Sequence, residues 1–342
     1  MILLIQIGTK CIQEVELFIL LPEGGALIET EILRWNNKTD IFVSDVDDTI
    51  AEVFQDSSPE MISELEALLS EDKVLFLISG QSVGNICRRV VNYINRSLRN
   101  RILIGHCNGS EVYGFTDSGE LIPKPLLSAV ADNDKIDSGK WKSIIYDILK
   151  EFGLIPLSFM DIKEFRSITK NNPHYIMLDD RKVQISLDFV NGLASGKPES
   201  IEAADIRLPI SRKAKELFNI EGLPIEPHLS GTFALDFNIR GVDKSLPIKL
   251  AIKSGKQYQI QLPNEMFLSQ YNEIEVWGDS FSKSKGGSDC NMSLALPKET
   301  RSISFREVDT DDTIEGYNIV IWNGKYRCHE GLLEYLKSRK DI

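Results

Sequence analysis

Three aspartates crowd into the stretch "FVSDVDDTIAE", directly after a short apolar run that is typical of a buried strand. Asp45, Asp47 and Asp48 repel one another unless a positive charge neutralises them, and a hard divalent cation such as Mg²⁺ does so. The D-x-D spacing lets two carboxylates leave one turn towards a common point. The stretch therefore predicts a site for Mg²⁺ and an anionic ligand.

Other polar residues also follow apolar runs. Ser79 follows "VLFLI" and precedes Gly80, Lys244 stands where a helix is expected to begin, and Asp279 and Asp289 lie in "VWGDSFSKSKGGSD". In open α/β sheets, ligands bind at the carboxyl ends of the strands, so these side chains are expected to meet. Carboxylates, a hydroxyl and an ammonium together suit phosphoryl transfer through an aspartyl-phosphate.

The elements that must position these residues alternate between short apolar runs and helical periodicity, which predicts βαβ units and a parallel sheet. A helix is expected over 57–71, with Ser58 as its cap and Pro59 in its first turn. In the next expected helix, apolar residues share one face and Arg88, Arg89 and Arg96 lie elsewhere. The apolar residues of this helix are Val83, Ile86, Val90, Ile94 and Leu98. Buried strands are expected at 41–44, 74–79, 101–106, 273–277 and 317–322.

A different pattern occupies residues 120–235. A helix is followed by the alternating strands "HYIML" and "VQISLDFV", joined through "DDRK", which predicts an antiparallel sheet with one open face. The predicted fold class is thus α/β, with a Rossmann-like parallel core at 41–119 and 236–342 and an inserted α/β domain at 120–235. Residues 1–40 are interpreted as an N-terminal β extension that begins with a hairpin.

Composition narrows the possible partners. The chain has 342 residues and a net charge of −12, from 51 acidic and 39 basic residues, so no nucleic acid partner is expected. Its five cysteines form no C-x-x-C pair, which favours reduced thiols and a cytoplasmic location. The apolar N-terminus lacks a basic leader and is interrupted by Lys10, Glu14 and Glu16, so neither a signal peptide nor a membrane span is expected. The oligomeric state stays open.

The order of these residues resembles that of the haloacid dehalogenase superfamily of phosphohydrolases. "DVDDT" looks like the first motif, D-x-D-x-T, Ser79 like the second, Lys244 like the third, and Asp279 with Asp289 like the acidic fourth. "HCNGSEVYG", which contains Asn108, resembles the strand and turn after the second motif. "LDFNIRGVDKS" and the G-G-S-D ending look closest to the branch of phosphomannomutases and sugar phosphatases.

The resemblance implies a role for each matching residue. Asp45 would be the nucleophile, Asp47 the general acid and base, and Thr49 would orient Asp47. Ser79 and Lys244 would bind phosphoryl oxygens.

It also implies a substrate and metal site. Gly80 and Asn108 would help to bind substrate, and the Mg²⁺ ligands would be Asp45, Asp47 through its carbonyl, Asp279 and Asp289. Asp279 is the preferred acidic ligand because a lengthened loop displaces Asp289. The insertion resembles the second cap class of the family, an α/β lid over the site.

The expected function is Mg²⁺-dependent hydrolysis of a small phosphorylated metabolite such as a sugar phosphate. One departure from the family leaves the substrate class open: Gln81 stands where many relatives with this cap carry arginine. A phosphomutase and a catalytically silent binding protein are the alternatives. The mutase is disfavoured because acidic residues follow Asn191-Gly192, unless Arg166, Arg181 and Arg212 converge in space.

Overall fold

The computed structural model describes residues 32–129, 138–192, 205–230, 233–252, 261–262, 266–267, 273–284 and 287–341. The first part of the chain comprises β1 (Ile41–Ser44), α1 (Pro59–Ser70), β2 (Val74–Ile78), α2 (Val83–Arg89), β3 (Ile102–His106), β4 (Glu111–Tyr113) and β5 (Leu127–Ser128). The middle part comprises α3 (Ser138–Glu151), β6 (Ile155–Ser158), α4 (Ile162–Thr169), β7 (Tyr175–Asp180), β8 (Ile185–Asp188), α5 (Arg207–Ile220), β9 (Ile225–Ser230) and β10 (Ala234–Ile239). The last part comprises α6 (Ser245–Ile252), β11 (Gln261–Leu262), β12 (Met266–Phe267), β13 (Ile274–Gly278), α7 (Cys290–Leu294), β14 (Arg301–Ser304), β15 (Ile319–Ile321) and α8 (Cys328–Lys337).

The larger sheet has eight strands in the order β15-β14-β13-β1-β2-β3-β4-β5. The six strands from β15 to β3 run parallel, and β4 and β5 add antiparallel pairs at one edge. Side chains of β2 alternate between the two faces: Leu75 and Leu77 pack with α1, whereas Phe76 packs with α6 and α7. This arrangement confirms the predicted Rossmann-like parallel core.

The first helix forms as its sequence predicts. The Ser58 side chain accepts a hydrogen bond from the Met61 amide at 3.2 Å, and Pro59 occupies the first turn, where no intrahelical donor is needed. Leu65 and Leu68 are buried against the sheet.

The next helix is shorter than predicted. α2 ends at Arg89, and two 3₁₀ turns, at 91–93 and 96–101, replace its expected continuation. The break falls at Val90, whose backbone leaves the helical region with φ −130° and ψ −65°. Consecutive β-branched residues at Val90 and Val91 weaken the helix here, because they lose side-chain freedom against the preceding turn.

A second sheet, of five strands in the order β6-β7-β8-β10-β9, lies between β5 and α6 in the chain. β7 and β8 pair antiparallel, as their alternation predicts. We call the residues of this sheet and its helices, 138–239, the cap. β10 lies wholly within this sheet, so the predicted boundary between 235 and 236 falls inside a strand.

The two faces of the cap sheet differ. On β10, Leu235 and Phe237 are buried in the cluster that includes residues of α3 and α5, whereas Asp236 and Asn238 lie on the opposite face. That opposite face was expected to be open. Instead Asp236 and Asn238 are only 4% and 3% exposed, and they line a cavity together with residues of the core.

The expected N-terminal hairpin falls outside the described residues. Among the described helices, none has both the length and the apolar character that crossing a bilayer requires.

Candidate active site

Three neighbouring parallel strands carry the predicted residues to one edge of the core sheet. Asp45 follows β1, Ser79 follows β2, and Asp279 follows β13, and β1 pairs with both of the other strands. Because parallel strands end at the same edge, residues that are far apart in the chain become neighbours. Lys244, at the start of α6, reaches the same place.

A buried lysine joins two of the carboxylates. The Lys244 ammonium donates to Asp45 Oδ1 at 2.7 Å and to Asp289 Oδ1 at 2.8 Å. Burial alone would lower the pKa of Lys244, but the charges of Asp289 and Asp45 outweigh it and raise that pKa. The lysine therefore stays protonated and compensates negative charge at the end of β1.

The Asp289 side chain is more tightly held than its displaced position in the sequence suggests. It is fully buried, and its Oδ2 accepts hydrogen bonds from the Asp279 amide at 3.0 Å and the Ser280 amide at 2.9 Å. Gly278 leaves room for it, since a Cβ on Gly278 would lie 2.4 Å from that Oδ2. The long loop thus folds back, and both Asp279 and Asp289 reach the site.

Carboxylate oxygens of Asp45, Asp279 and Asp289 all lie within 4.8 Å of one another. Burial raises the pKa of Asp45 well above its usual value, and burial together with Asp289 raises that of Asp279 to about 6. The Lys244 charge is thus insufficient for three carboxylates. Hard oxygen donors with excess negative charge fit Mg²⁺, so the residues present suit the cation that the resemblance implies.

The Asp47 carboxylate has partners of its own outside this cluster. It accepts hydrogen bonds from Gln81 Nε2 at 2.7 and 2.8 Å, from Arg89 at 2.6 Å and from the Ser79 hydroxyl at 3.3 Å. Gln81, the departure from the family pattern, therefore has a definite contact. The expected hydrogen bond from Thr49 is not formed: the buried Thr49 hydroxyl has no hydrogen-bond partner among the described residues.

Arg89 is a site residue that the sequence pattern missed. It was placed away from the buried face of its helix, yet its side chain is fully buried. Besides Asp47, it binds the backbone carbonyls of Glu52 and Gln55, which lie in the segment after the first motif. Helical periodicity carried no signal for this contact, because the helix ends at Arg89.

Asp48 also has a partner. Arg306, which follows β14, donates to Asp48 Oδ2 at 2.8 Å and to Asp279 Oδ2 at 2.9 Å. Asp48 has a positive φ of 57° and accepts a hydrogen bond from the Val53 amide, so it stabilises the turn after β1. Residues 309–312 form another turn, and its Asp312 accepts hydrogen bonds from Ser282 and Ser284 in the fourth-motif loop.

The cap supplies a cation beside the second motif. Arg181 donates to the Gly80 carbonyl and forms an ion pair with Asp179 at 2.7 Å. Of the other arginines considered, Arg166 binds the Val190 carbonyl and Arg212 is exposed. Only Arg181 among these three thus reaches the site.

A cavity of about 490 Å³ separates the cap sheet from the core. Lys244, Asn108 and Ser288 line it from the core. The side chain of Asn108 also lies against Gly80, with its Oδ1 3.4 Å from the point where a Cβ would stand. From the cap, the polar lining residues are Glu226, His228, Ser230, Asp236 and Asn238.

Comparison with known proteins identifies the fold. No protein-family model matches the chain, and no curated protein matches its sequence. Among solved structures, the C-terminal domain of trehalose-6-phosphate phosphatase from C. albicans matches with a TM-score of 0.55 and 15% identity, over 89% of this chain and 94% of that one. A Thermotoga maritima protein matches with a TM-score of 0.50 and 15% identity, over 88% and 97% of the two chains. The chain has the fold of the haloacid dehalogenase phosphatases, a parallel core with an inserted α/β cap.

Proposed function

We propose that this protein is a Mg²⁺-dependent phosphomonoester hydrolase that forms an aspartyl-phosphate and acts on a small phosphorylated metabolite such as a sugar phosphate. The observation that carries the proposal is the buried contact of Lys244 with Asp45 and Asp289, next to Asp279 at the carboxyl end of the central strands. A nucleophilic carboxylate needs such compensation to approach a phosphate.

In the proposed first step, an oxygen of Asp45 attacks phosphorus and the ester oxygen leaves. Lys244 offsets the charge on Asp45 and, with the Ser79 hydroxyl, binds the phosphoryl oxygens. Gly80 and Asn108 contact the substrate at the same edge. Positioning and electrostatic compensation supply most of the rate in such reactions.

Asp47 is the general acid and general base of the proposed reaction. It donates a proton to the leaving ester oxygen and later takes one from the water that attacks the aspartyl-phosphate. Its hydrogen bonds to Gln81 and Arg89 fix the orientation of the carboxylate. Arg89 also links Asp47 to the carbonyls of the segment that follows the first motif, so it is a positioning residue in this proposal.

The metal site would use the Asp45 and Asp279 carboxylates and the Asp47 carbonyl, with Asp289 supporting the set. When bound there, Mg²⁺ would supply positive charge to the phosphoryl oxygens.

A phosphomutase is supported by one observation, the approach of Arg181 from the cap to Gly80. However, Arg181 already pairs with Asp179, and the cap residues that line the cavity include Glu226 and Asp236. This negative lining disfavours a second phosphate. We therefore prefer hydrolysis.

The test is phosphate release from an aryl phosphate with Mg²⁺ and with a chelator, followed by a screen of phosphorylated metabolites. We expect metal-dependent release that Asp45→Asn abolishes. Hexose 1-phosphates with a bisphosphate activator provide the second arm. Isomerised sugar phosphate in excess over free phosphate would favour the mutase, and no turnover of any substrate would favour the silent binding protein.

A further inference from the structure

Two acceptor atoms on the cap face of the cavity lack partners. Asp236 Oδ1 and Asn238 Oδ1 each have no hydrogen-bond partner among the described residues, although both side chains are more than nine-tenths buried. Leaving a buried acceptor unsatisfied costs about 1–3 kcal/mol. Both residues line the cavity that Lys244 lines from the core, so a ligand bound there can satisfy them.

The neighbours of these atoms define what kind of ligand suits them. On the strands that flank β10, Ser186 and His228 stand opposite Asp236, and Glu226 stands opposite Asn238. Burial raises the pKa of the Asp236 carboxyl, and the nearby Ser186 and Ser230 hydroxyls offset this rise only in part. Asp188 lies on the same face of the sheet, so this face is rich in carboxyl groups.

The arginine beside this face is already engaged. Arg181 is held by Asp179, by the Gly80 carbonyl and by Gln184. Among the residues that the structure describes here, an anionic group would meet several carboxyl groups and no unengaged arginine. A hydroxyl group, in contrast, donates to an acceptor and carries no charge.

We propose that Asp236 and Asn238 determine specificity by accepting hydrogen bonds from two hydroxyl groups of the substrate, whose organic part is therefore an uncharged sugar or polyol without a second phosphate or carboxylate. This inference rests on the proposed function, because Lys244 must hold the phosphate at the other side of the cavity. Residues two apart on a strand are about 6.6–6.8 Å apart, so their two acceptors can receive hydrogen bonds from two different hydroxyls of one ligand. A cavity of about 490 Å³ accommodates such a ligand.

The test compares the full-length protein with variants that remove or keep each acceptor. Asn238→Leu and Asp236→Leu remove the acceptor with a side chain of similar size, and Asp236→Asn keeps an acceptor oxygen. For each protein, kcat/KM is measured with glucose 6-phosphate, glycerol 3-phosphate, a hexose 1,6-bisphosphate and p-nitrophenyl phosphate. The last compound has no hydroxyl that the cap can bind.

We expect each leucine variant to reduce the ratio of sugar phosphate to aryl phosphate kcat/KM by about 10- to 100-fold, mostly through KM. Asp236→Asn, which keeps an acceptor oxygen, should retain most of the wild-type ratio of sugar phosphate to aryl phosphate kcat/KM. The matched control is Glu226→Gln, which removes a charge from the same cavity but not an unpaired acceptor, since Glu226 already pairs with Lys215 at 3.2 Å. Its ratio should change by less than about twofold.

A wild-type preference for the bisphosphate, or leucine variants that reduce both substrates equally, would overturn the inference. Failure of the proposed function has a different signature. If wild type releases no phosphate from any compound, calorimetry with glucose 6-phosphate measures binding to wild type and to Asn238→Leu. Binding that Asn238→Leu loses would preserve polyol recognition without catalysis, and no binding to wild type would reject both.

Discussion

Among the described residues, three carboxyl groups gather around a buried cation in the core and again in the cap. In the core, Asp45, Asp279 and Asp289 surround Lys244, and their oxygens converge within 4.8 Å. In the cap, Arg181 is the cation, and the carboxylates are Asp179, Asp188 and Asp236. Each group thus contains three carboxyl groups and one cation, but the two groups form different kinds of site.

The core and cap groups differ in which acceptors receive the hydrogen bonds of the cation. Lys244 bridges two carboxylates directly, so the negative charge that remains is concentrated at one point and suits a metal ion. Arg181 is held by one carboxylate and by the Gly80 carbonyl, which leaves Asp236 Oδ1 without a partner. An isolated acceptor of this kind suits a hydroxyl donor.

The largest expected effect is in the core group. Asp45→Asn removes the proposed nucleophile and should reduce turnover by at least about a thousandfold, while the fold is retained. Removing one of three mutually repelling carboxylates should not lower the melting temperature. Phosphate release and circular dichroism measure the two effects. Turnover within a few-fold of wild type would contradict the mechanism.

A glycine tests whether the core group depends on tight packing. Gly278→Ala should displace Asp289, because the new Cβ would lie 2.4 Å from its Oδ2 and 2.8 Å from its Cγ. We expect turnover to fall by about 10- to 100-fold, as lost positioning at an active site typically costs. Gly84→Ala is the control, since its Cβ would meet nothing within 4 Å. Equal activity of the two variants would show that Asp289 need not be held there.

The two fourth-motif aspartates should differ in what they support. Asp279→Ala should raise the Mg²⁺ concentration needed for half-maximal activity more than Asp289→Ala does. Both Asp289 oxygens are already used, by Lys244 and by two amides, whereas among the described residues only Arg306 binds the Asp279 carboxylate. Asp289→Ala should instead lower the melting temperature more. A larger Mg²⁺ shift for Asp289→Ala would reverse the assignment.

The smallest expected effect is in the cap group and depends on pH. Burial, with the nearby Asp236, raises the pKa of Asp188 from 3.8 to about 7. Between these values the folded state holds a proton that the unfolded state has lost, so this group makes the protein less stable as pH rises towards 7. Asp188→Asn should therefore be more stable than wild type at pH 8, by at least about 1 kcal/mol, and not at pH 4.

Urea unfolding at both pH values measures this difference. Asp180→Asn, at the exposed end of β7, is the control and should change stability by less than about 0.5 kcal/mol. An Asp188→Asn effect that is the same at both pH values would mean that the cap carboxylates are not electrostatically strained.

Local sequence determined the framework of the site. Apolar runs marked β1, β2 and β13, and the polar residues after them marked the edge where Asp45, Ser79 and Asp279 meet. These features are predictable because strand burial and helix caps, such as Ser58 at α1, depend on residues that are near one another in the chain. The parallel core and the inserted α/β cap were inferred in the same way and are confirmed.

Only the tertiary structure decided which side chains complete the site. Arg89 reaches Asp47 because α2 ends there, and Arg181 reaches Gly80 because the cap packs over the core. Asp289 reaches Lys244 because its long loop folds back onto Gly278. Each contact joins residues that are distant in the chain or separated by a loop, and no local periodicity encodes such a distance. The alternating patterns of β7 and β8 predicted a sheet with one open face, but whether that face met water or the core depended on how the two sheets pack.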